Sequence, residues 1–328
     1  MMALSRRGLA LGGLGVLAAG GTAAQPTPAW QPDRPLRLVV PFAPGGNTDA
    51  IARVSAEWLG ARLGQTVVVE NRSGANGALA AELVTRSRPD GHTLLMAAAP
   101  QMAVLPALTR LNYDPERDFA PVSIVASNVF ALAVAESTGI ANLPDFLARL
   151  RREPDGLAYA SAGNGSVSHL AMALLLQAGG GLKMLHVPYR GGGPAMQELL
   201  GGRIATYFAN VAEVLPHVAG GRIRILGTSG AARTPAMPDV PTVAEQGLPG
   251  FAAETWNGIA APAATPEVVL DRLALEMGAA CADIIVRERL ARLGVDPVCN
   301  SRAGFAATLR ADLVRWREAV RASGAVLD

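Results

Sequence analysis

An apolar run that ends in a Pro/Gly turn and opens into a helical pattern is the strongest constraint on the fold of this chain. The run covers residues 38–40, the turn covers residues 41–46, and a polar cluster leads into the helical pattern near Asp49. This order predicts a strand, a loop and a helix. Gly45 and Gly46 let a ligand approach the unpaired N–H groups of the helix start, which suits a carboxylate or phosphate. Alternatively, Asp49 caps those donors itself.

Residues 1–24 have the features of an export signal. Arg6 and Arg7 precede an apolar, glycine-rich run over residues 8–21, and small residues follow up to Ala24, where cleavage is expected. The paired arginines suit the twin-arginine route, although an ordinary export signal also accepts them. No later apolar run approaches the roughly 20 residues of a membrane span, so the mature chain is expected in the periplasm without membrane insertion.

The mature chain has no net charge. Removing residues 1–24 takes away Arg6 and Arg7 and no acid, so Lys+Arg falls from 29 to 27 and equals Asp+Glu 27. A neutral chain lacks the basic surface that nucleic acid or an anionic membrane would need. With 50% hydrophobic residues, the roughly 300 remaining residues can bury a large core and predict two domains.

The cysteines and histidines indicate a disulfide rather than a metal site. Cys281 and Cys299 are the only cysteines, and an isolated pair in an exported protein is expected to oxidise. None of the histidines pairs with a cysteine at metal-ligand spacing. We therefore expect no metal and no cofactor. The four histidines are His92, His169, His186 and His217.

The first part of the mature chain repeats strand and helix. Strand patterns at 37–41, 66–70 and 92–97 alternate with helical patterns at 49–63 and 78–85. Right-handed crossovers would make this βαβαβ unit a parallel sheet, whose ligand-binding loops gather at the carboxyl ends of the strands. The loops at 41–49, 71–77 and 98–101 are therefore expected to line one crevice.

A second unit follows the same architecture. Strand patterns alternate with helical patterns from residue 143 to residue 228, after an extended crossing near 124–130. A second crossing near 254–259 leads to helical segments at 266–282 and 303–323, which are expected to cover the first unit. The predicted fold is therefore α/β, with a discontinuous domain 1 formed by 34–126 plus 256–328 and a domain 2 formed by 127–255.

The chain resembles the Bug or TctC family, the periplasmic solute-binding receptors of tripartite tricarboxylate transporters. The resemblance extends from about Pro35 to Gly324. Each matching sequence block is only moderately specific for the family, but all of them in this order make a strong resemblance. The blocks are RPLRLVVPFAPGG at 34–46, VENRSGA at 69–75, DGHTLL at 90–95, YASAGNGS at 159–166, HVPYRGG at 186–192, PDVPTVAE at 238–245 and WNG at 256–258.

The resemblance implies a type II periplasmic-binding-protein fold with a hinge between two domains. Such a receptor closes over a small, usually carboxylated ligand and delivers it to the membrane subunits of its transporter. It implies a monomer without catalytic activity. A receptor that presents its liganded form to a signalling system is an alternative with the same fold.

The resemblance also locates the expected ligand contacts. In the family, backbone groups and bridging waters from two loops hold one carboxylate, and those loops correspond here to residues 41–49 and 161–169. Alternatively, Ser166 is an N-cap, His169 a packed histidine, and Tyr189 part of a turn. The expected ligand-binding residues are Pro44, Gly45, Gly46, Thr48, Asp49, Ala99, Ser161, Gly163, Asn164, Gly165, Ser166, His169, Tyr189 and Asn210.

An enzymatic function is a remote alternative. A Ser/His/Asp constellation would combine Ser161 or Ser166 with His169 and Asp49, but nothing in their spacing demands it. The chain has no Gly-x-Ser-x-Gly nucleophile elbow and no P-loop. The loop at 163–168 resembles a dinucleotide loop, but Ser168 replaces its third glycine.

Overall fold

Strands and helices alternate along most of the chain in a computed structural model that describes residues 30–189 and 191–325. The export signal expected at 1–24 lies outside the described residues. The strands are β1 Leu36–Val40, β2 Val67–Asn71, β3 Thr93–Ala98, β4 Phe119–Asn128, β5 Phe130–Ala135, β6 Ala158–Ser161, β7 Leu185–Pro188, β8 Thr206–Asn210, β9 Ile223–Thr228, β10 Thr255–Pro262 and β11 Asp296–Pro297.

The helices cover both sheets, and a π-helix at Pro100–Val104 leads into the third of them. Within the described ranges, no helix is both long and apolar enough to cross a membrane. The helices are α1 Asn47–Leu63, α2 Ala78–Thr85, α3 Leu105–Leu108, α4 Leu143–Arg152, α5 Val167–Ala178, α6 Gly192–Leu200, α7 Val211–Val218, α8 Glu267–Ala280, α9 Ile284–Arg292 and α10 Arg302–Ser323.

The strands form two separate sheets, which confirms the predicted α/β class. The first sheet has the order β11-β4-β10-β3-β1-β2, and the second has the order β7-β6-β8-β5-β9. β1 pairs in parallel with β2 and β3, and β6 pairs in parallel with β7 and β8. β10 and β5 are antiparallel to their neighbours, so both sheets are mixed. The parallel strands place their following loops at one edge of each sheet.

Two extended crossings connect the sheets. β4 ends at Asn128 in the first sheet and β5 begins at Phe130 in the second, so that only Val129 separates them. The return crossing precedes β10. Ser229 links both crossings, since its Oγ accepts the Phe130 N–H at 2.9 Å and donates to the Ala253 carbonyl at 2.7 Å. The division into domains at these crossings stays a prediction, which the two separate sheets support.

The C-terminal helix α10 covers the first unit, as the sequence predicted, and also packs on the second unit. It contacts β4 and α3 beside the first sheet and α5 beside the second. Its Phe305 and Trp316 are buried in a core cluster that extends across both units. The predicted helix at 266–282 ends as α8 at Ala280, and α9 was not predicted. Cys281 and Cys299 form a disulfide with Cα atoms 5.7 Å apart.

Candidate functional site

The first glycine loop ends at the N-terminus of α1. Gly45 has φ +84°, a left-handed conformation that glycine adopts without strain, and Gly46 is the N-cap of α1. The Ala50 N–H donates to the Gly46 carbonyl at 3.0 Å. Among the described residues, no acceptor is found for the N–H groups of Asn47 and Thr48. The start of α1 therefore has backbone donors available.

Asp49 is a first-turn acid whose carboxylate turns back into the protein. It is 3% exposed and accepts hydrogen bonds from the Gly45 N–H at 3.0 Å, from Asn71 Nδ2 at 2.9 Å, and from Arg53 at 2.9 and 3.1 Å. Burial would raise the pKa of Asp49, but these hydrogen bonds outweigh burial and lower the pKa below its ordinary value. The carboxylate thus stabilises the loop as a charged group with its oxygens already occupied.

A chain of polar side chains joins α1 to both crossing strands. Asn47 Nδ2 donates to Asn128 Oδ1 at 2.6 Å, and Asn128 Nδ2 donates to Asn257 Oδ1 at 3.1 Å. Asn257 Nδ2 then donates to Thr48 Oγ1 at 3.0 Å. Asn128 and Asn257 are 4% and 3% exposed, so each hydrogen bond satisfies a buried polar group. These hydrogen bonds fix the start of α1 relative to the two strands at the crossings.

The second glycine loop connects β6 to α5 and is held by its own side chains. Ser166 is the N-cap of α5, as the structural alternative predicted: its Oγ accepts the His169 N–H and donates to the Gly163 carbonyl at 2.6 Å. Gly163 and Gly165 have φ values of +136° and +70°. The Leu170 N–H donates to the Ser166 carbonyl.

Two N–H groups in the first turn of α5 remain as donors. The N–H groups of Val167 and Ser168 have no hydrogen-bond acceptor within the described part of the chain. They lie at the positive end of the helix dipole. This end of α5 can therefore bind an anion through its backbone.

Three stacked aromatic rings lie next to the second glycine loop and contact it through His169. The rings of His169 and His186 are 3.8 Å apart, and Tyr159 stacks on His186 at 4.9 Å. His169 Nδ1 accepts the Gly165 N–H at 3.1 Å, and His186 Nε2 lies 2.7 Å from Ser161 Oγ. Burial lowers the pKa of His169 to about 4, with a smaller contribution from His186. The neutral imidazole of His169 thus accepts a hydrogen bond that shapes the loop.

A pocket of about 300 Å³ lies between loops of the two sheets. On the second-sheet side it is lined by residues 162–167, which include the predicted Gly163, Asn164, Gly165 and Ser166. Among the described residues that line it, none carries a charged side chain. On the first-sheet side the lining residues are Phe42, Asn76, Pro100, Val104, Leu105 and Leu108.

Other predicted contacts lie beside this pocket or away from it. The residues at 44–49 surround the start of α1, and Ala99 immediately precedes the lining Pro100. Tyr189 donates its N–H to the Ser161 carbonyl at 3.0 Å, next to Gly163. Ser161 is fully buried under the loop, and His169 faces a separate groove of about 620 Å³. Contact between these residues and a ligand stays a prediction.

Asn210 is the last residue of β8 rather than the residue after the strand. It is also the N-cap of α7, because its Oδ1 accepts the Ala212 N–H at 3.1 Å. A capping role occupies the side-chain oxygen and leaves the amide nitrogen as the group that could reach a ligand.

The Ser/His/Asp constellation weighed from the sequence is not assembled. Asp49 is bound by Arg53 and Asn71, and His169 accepts a backbone N–H instead of contacting an acid. Ser161 meets His186, and no carboxylate hydrogen-bonds to that ring among the described residues. Within the same ranges, no group of His, Cys, Asp and Glu is arranged to hold a metal ion.

Sequence reasoning missed the apolar part of the first-sheet wall. Val104, Leu105 and Leu108 were unassigned because an apolar run after a strand is typical of core. Pro100 could have indicated that a helix begins at this point, because proline is favoured in the first turn of a helix. In the structure, Pro100 is the first residue of the π-helix.

The chain is similar to a set of receptors with the same architecture. A family model described as the tripartite tricarboxylate transporter family receptor matches residues 51–325. Protein BugT of Bordetella pertussis is 35% identical over 314 residues, which cover 95% of this chain and 96% of BugT.

Two solved structures share the fold over nearly their whole length. Rpa4515 of R. palustris, solved with adipate, is 31% identical with a TM-score of 0.75, and the match covers 90% of this chain and 99% of that chain. MatC from Rhodopseudomonas palustris, with bound malate, is 33% identical with a TM-score of 0.71, and the match covers 88% and 99%. The fold predicted from the sequence is confirmed by these neighbours.

Proposed function

Because the chain belongs to the receptor family of tripartite tricarboxylate transporters, we propose that it captures a small carboxylate between its two sheets and delivers it to the membrane subunits of such a transporter. The pocket with one wall from each sheet is the observation that carries this proposal. Carboxylates are bound in two relatives, adipate in Rpa4515 and malate in MatC.

In this proposal, backbone donors hold one carboxylate of the ligand. The N–H groups of Val167 and Ser168 have no acceptor among the described residues, and the helix dipole at the start of α5 favours an anion. Those of Asn47 and Thr48 offer the same chemistry at the start of α1. Asp49 does not repel the ligand, because Arg53 neutralises its carboxylate. Two helix starts, one from each unit, would therefore offer backbone donors to a negative charge, and none of the described residues that line the pocket is cationic.

Hinge bending at the crossings would couple binding to closure. Val129 alone separates β4 from β5, so a small change in its backbone angles moves the two sheets relative to each other. A ligand favours the closed form only by binding it better than the open form. Contacts from both walls supply that difference, and the closed form is the one that the membrane subunits would recognise.

We infer that the protein binds its ligand without transforming it. The described residues that line the pocket include no histidine, cysteine, acid or lysine, and the hydroxyl of Ser166 is used to cap α5. Acid–base or nucleophilic catalysis requires such groups within hydrogen-bond reach of the substrate.

The proposed place of action is the periplasm. The family is one of periplasmic binding proteins, and residues 1–24 supply the proposed export signal, with paired arginines for the twin-arginine route and cleavage near Ala24. The exported receptor would act as a monomer.

A ligand screen tests carboxylate capture. The exported protein is freed of co-purified ligand by urea and refolding, then melted with citrate, malate, adipate, acidic amino acids, nicotinate and benzene dicarboxylates. A ligand at 100 times its Kd should add about 2.7 kcal/mol to the free energy of unfolding. A panel without any shift would overturn the proposal.

Two glycine variants locate the binding site. Gly165 lines the pocket at φ +70°, so Gly165→Ala adds a methyl group to a lining residue. Gly139, at φ +68°, does not line the pocket, and a Cβ atom there would meet nothing within 4 Å. Because the backbone penalty is matched, only Gly165→Ala should reduce the ligand-induced shift. An unchanged shift in Gly165→Ala would refute this location.

A deletion strain tests delivery. It should lose uptake of the ligand identified in the screen. If the strain keeps uptake but loses a ligand-induced response, the receptor functions in sensing rather than in delivery.

A further inference from the structure

The side chain of Gln101 is fully buried without a hydrogen-bond partner. Its exposed fraction is 0%, and neither Oε1 nor Nε2 has a partner among the residues that the structure describes. Buried side-chain amides are normally paired, because an unmade hydrogen bond costs the full desolvation of the group. A carboxamide kept in this state is expected to have a partner that the chain itself does not supply.

The position of Gln101 connects it to the pocket. A Cβ atom on Gly77 would lie 3.1 Å from Gln101 Oε1 and 3.0 Å from Pro41 Cβ, so the carboxamide lies between two loops of the first sheet. Each of these residues is the chain neighbour of a pocket-lining residue: Pro41 precedes Phe42, Gly77 follows Asn76, and Gln101 follows Pro100. The carboxamide is therefore placed directly behind the first-sheet wall.

The local backbone holds Gln101 in place. It belongs to the π-helix at Pro100–Val104, a rare helix type that is frequently found at functional sites. Its carbonyl accepts a hydrogen bond from Tyr113 Oη at 2.7 Å, and Tyr113 is itself 6% exposed. The carbonyl of Gln101 is thus engaged, while its side-chain amide has no partner among the described residues.

We propose that Gln101 is a specificity-determining residue that hydrogen-bonds the second polar group of a dicarboxylate, directly or through one water. This inference rests on the proposed function, in which the start of α5 on the opposite wall holds the first carboxylate. A carboxamide donates through Nε2 to a carboxylate oxygen and accepts through Oε1 from a hydroxyl or water. It therefore favours a ligand with a polar group at both ends over one with a methyl group at the far end.

Matched ligand pairs test this inference by calorimetry on the exported protein. Adipate is compared with hexanoate, and malate with 3-hydroxybutyrate, so that each pair differs by one carboxylate. The variant Gln101→Met keeps the side-chain length and removes both polar atoms. Gln197→Met is the control, because Gln197 is exposed on α6.

The wild type should bind the dicarboxylate of at least one pair more tightly than its partner. Gln101→Met should reduce that preference about tenfold, the value of one hydrogen bond, while Gln197→Met leaves it unchanged. The ligand-free melting temperature of Gln101→Met should stay the same or rise, because an apolar group replaces an unpaired amide. Should that variant fail to fold, Gln101→Glu retains the shape and should weaken the dicarboxylate more than the monocarboxylate.

The outcomes separate this inference from the proposed function. If the wild type binds no carboxylate, both fail. If it binds dicarboxylates and Gln101→Met keeps the wild-type preference, or if the wild type shows no preference, only the role of Gln101 is overturned.

Discussion

Acidification should destabilise this protein through the histidine pair beneath the second glycine loop. His169 is 3% exposed, stacks on His186, and accepts the Gly165 N–H through Nδ1. A proton on Nδ1 would remove that acceptor and place a charge beside a second imidazole in a buried site. Burial accordingly lowers the pKa of His169 from 6.5 to about 4 and also lowers the pKa of His186.

The sign of the effect follows from these pKa values. The folded state binds the proton less readily than the unfolded state, so this contribution to stability is complete above the unfolded pKa near 6.5 and is lost as the pH falls toward 4. Between about pH 7.5 and pH 5, linkage gives a loss of roughly 2 kcal/mol for this one group.

Urea denaturation at these two pH values measures the loss. The variant His169→Asn places an amide oxygen where Nδ1 accepts the Gly165 N–H, and it removes the titrating group. The pH-dependent loss in the wild type should exceed that in His169→Asn by roughly 2 kcal/mol. His217→Asn on α7 serves as the control and should follow the wild type. Equal losses in the wild type and His169→Asn would refute the assignment of this effect to His169.

Two further perturbations test the framework around the site. Replacing Cys281 and Cys299 by alanine should lower the free energy of unfolding by about 3 kcal/mol, because the disulfide constrains a loop of 18 residues in the unfolded chain; a melting temperature equal to that of the oxidised wild type would contradict this. Asn257→Ala leaves buried Asn128 Nδ2 unpaired and should cost about 1–3 kcal/mol in urea denaturation, whereas an unchanged midpoint would show that the polar chain at the hinge is dispensable.

The βαβ units could be predicted because their signals are local. Apolar runs bounded by glycine and proline located β1, β2 and β3 to within one or two residues, and glycine at 163 and 165 indicated the loop that lines the pocket. β5 was missed because an apolar run of this length does not distinguish a strand from a buried helix. Its separation from β4 by Val129 alone is also shorter than most connections.

The helix α9 and the unpaired state of Gln101 were not predicted, for two different reasons. Asp283 caps α9 by accepting the Ile285 and Val286 N–H groups, a signal that was present in the sequence but was masked by the continuous helical pattern from residue 266. The unpaired state of Gln101 has no such signal. It depends on the packing of Gly77 and Pro41 against the π-helix, which no local pattern specifies.

The described part of this pocket offers neutral donors and no cationic side chain, and neutral donors can recognise an anion. The sequence left open whether Asp49 would repel a carboxylate, and the hydrogen bonds from Arg53, Asn71 and Gly45 show that its charge is already compensated. An arginine in the pocket would lose its hydration on closure, and only an ideal partner would offset that cost. Backbone N–H groups at the start of α5 are already oriented and carry no net charge. Ligand choice would therefore depend on pocket shape and on amides such as Gln101.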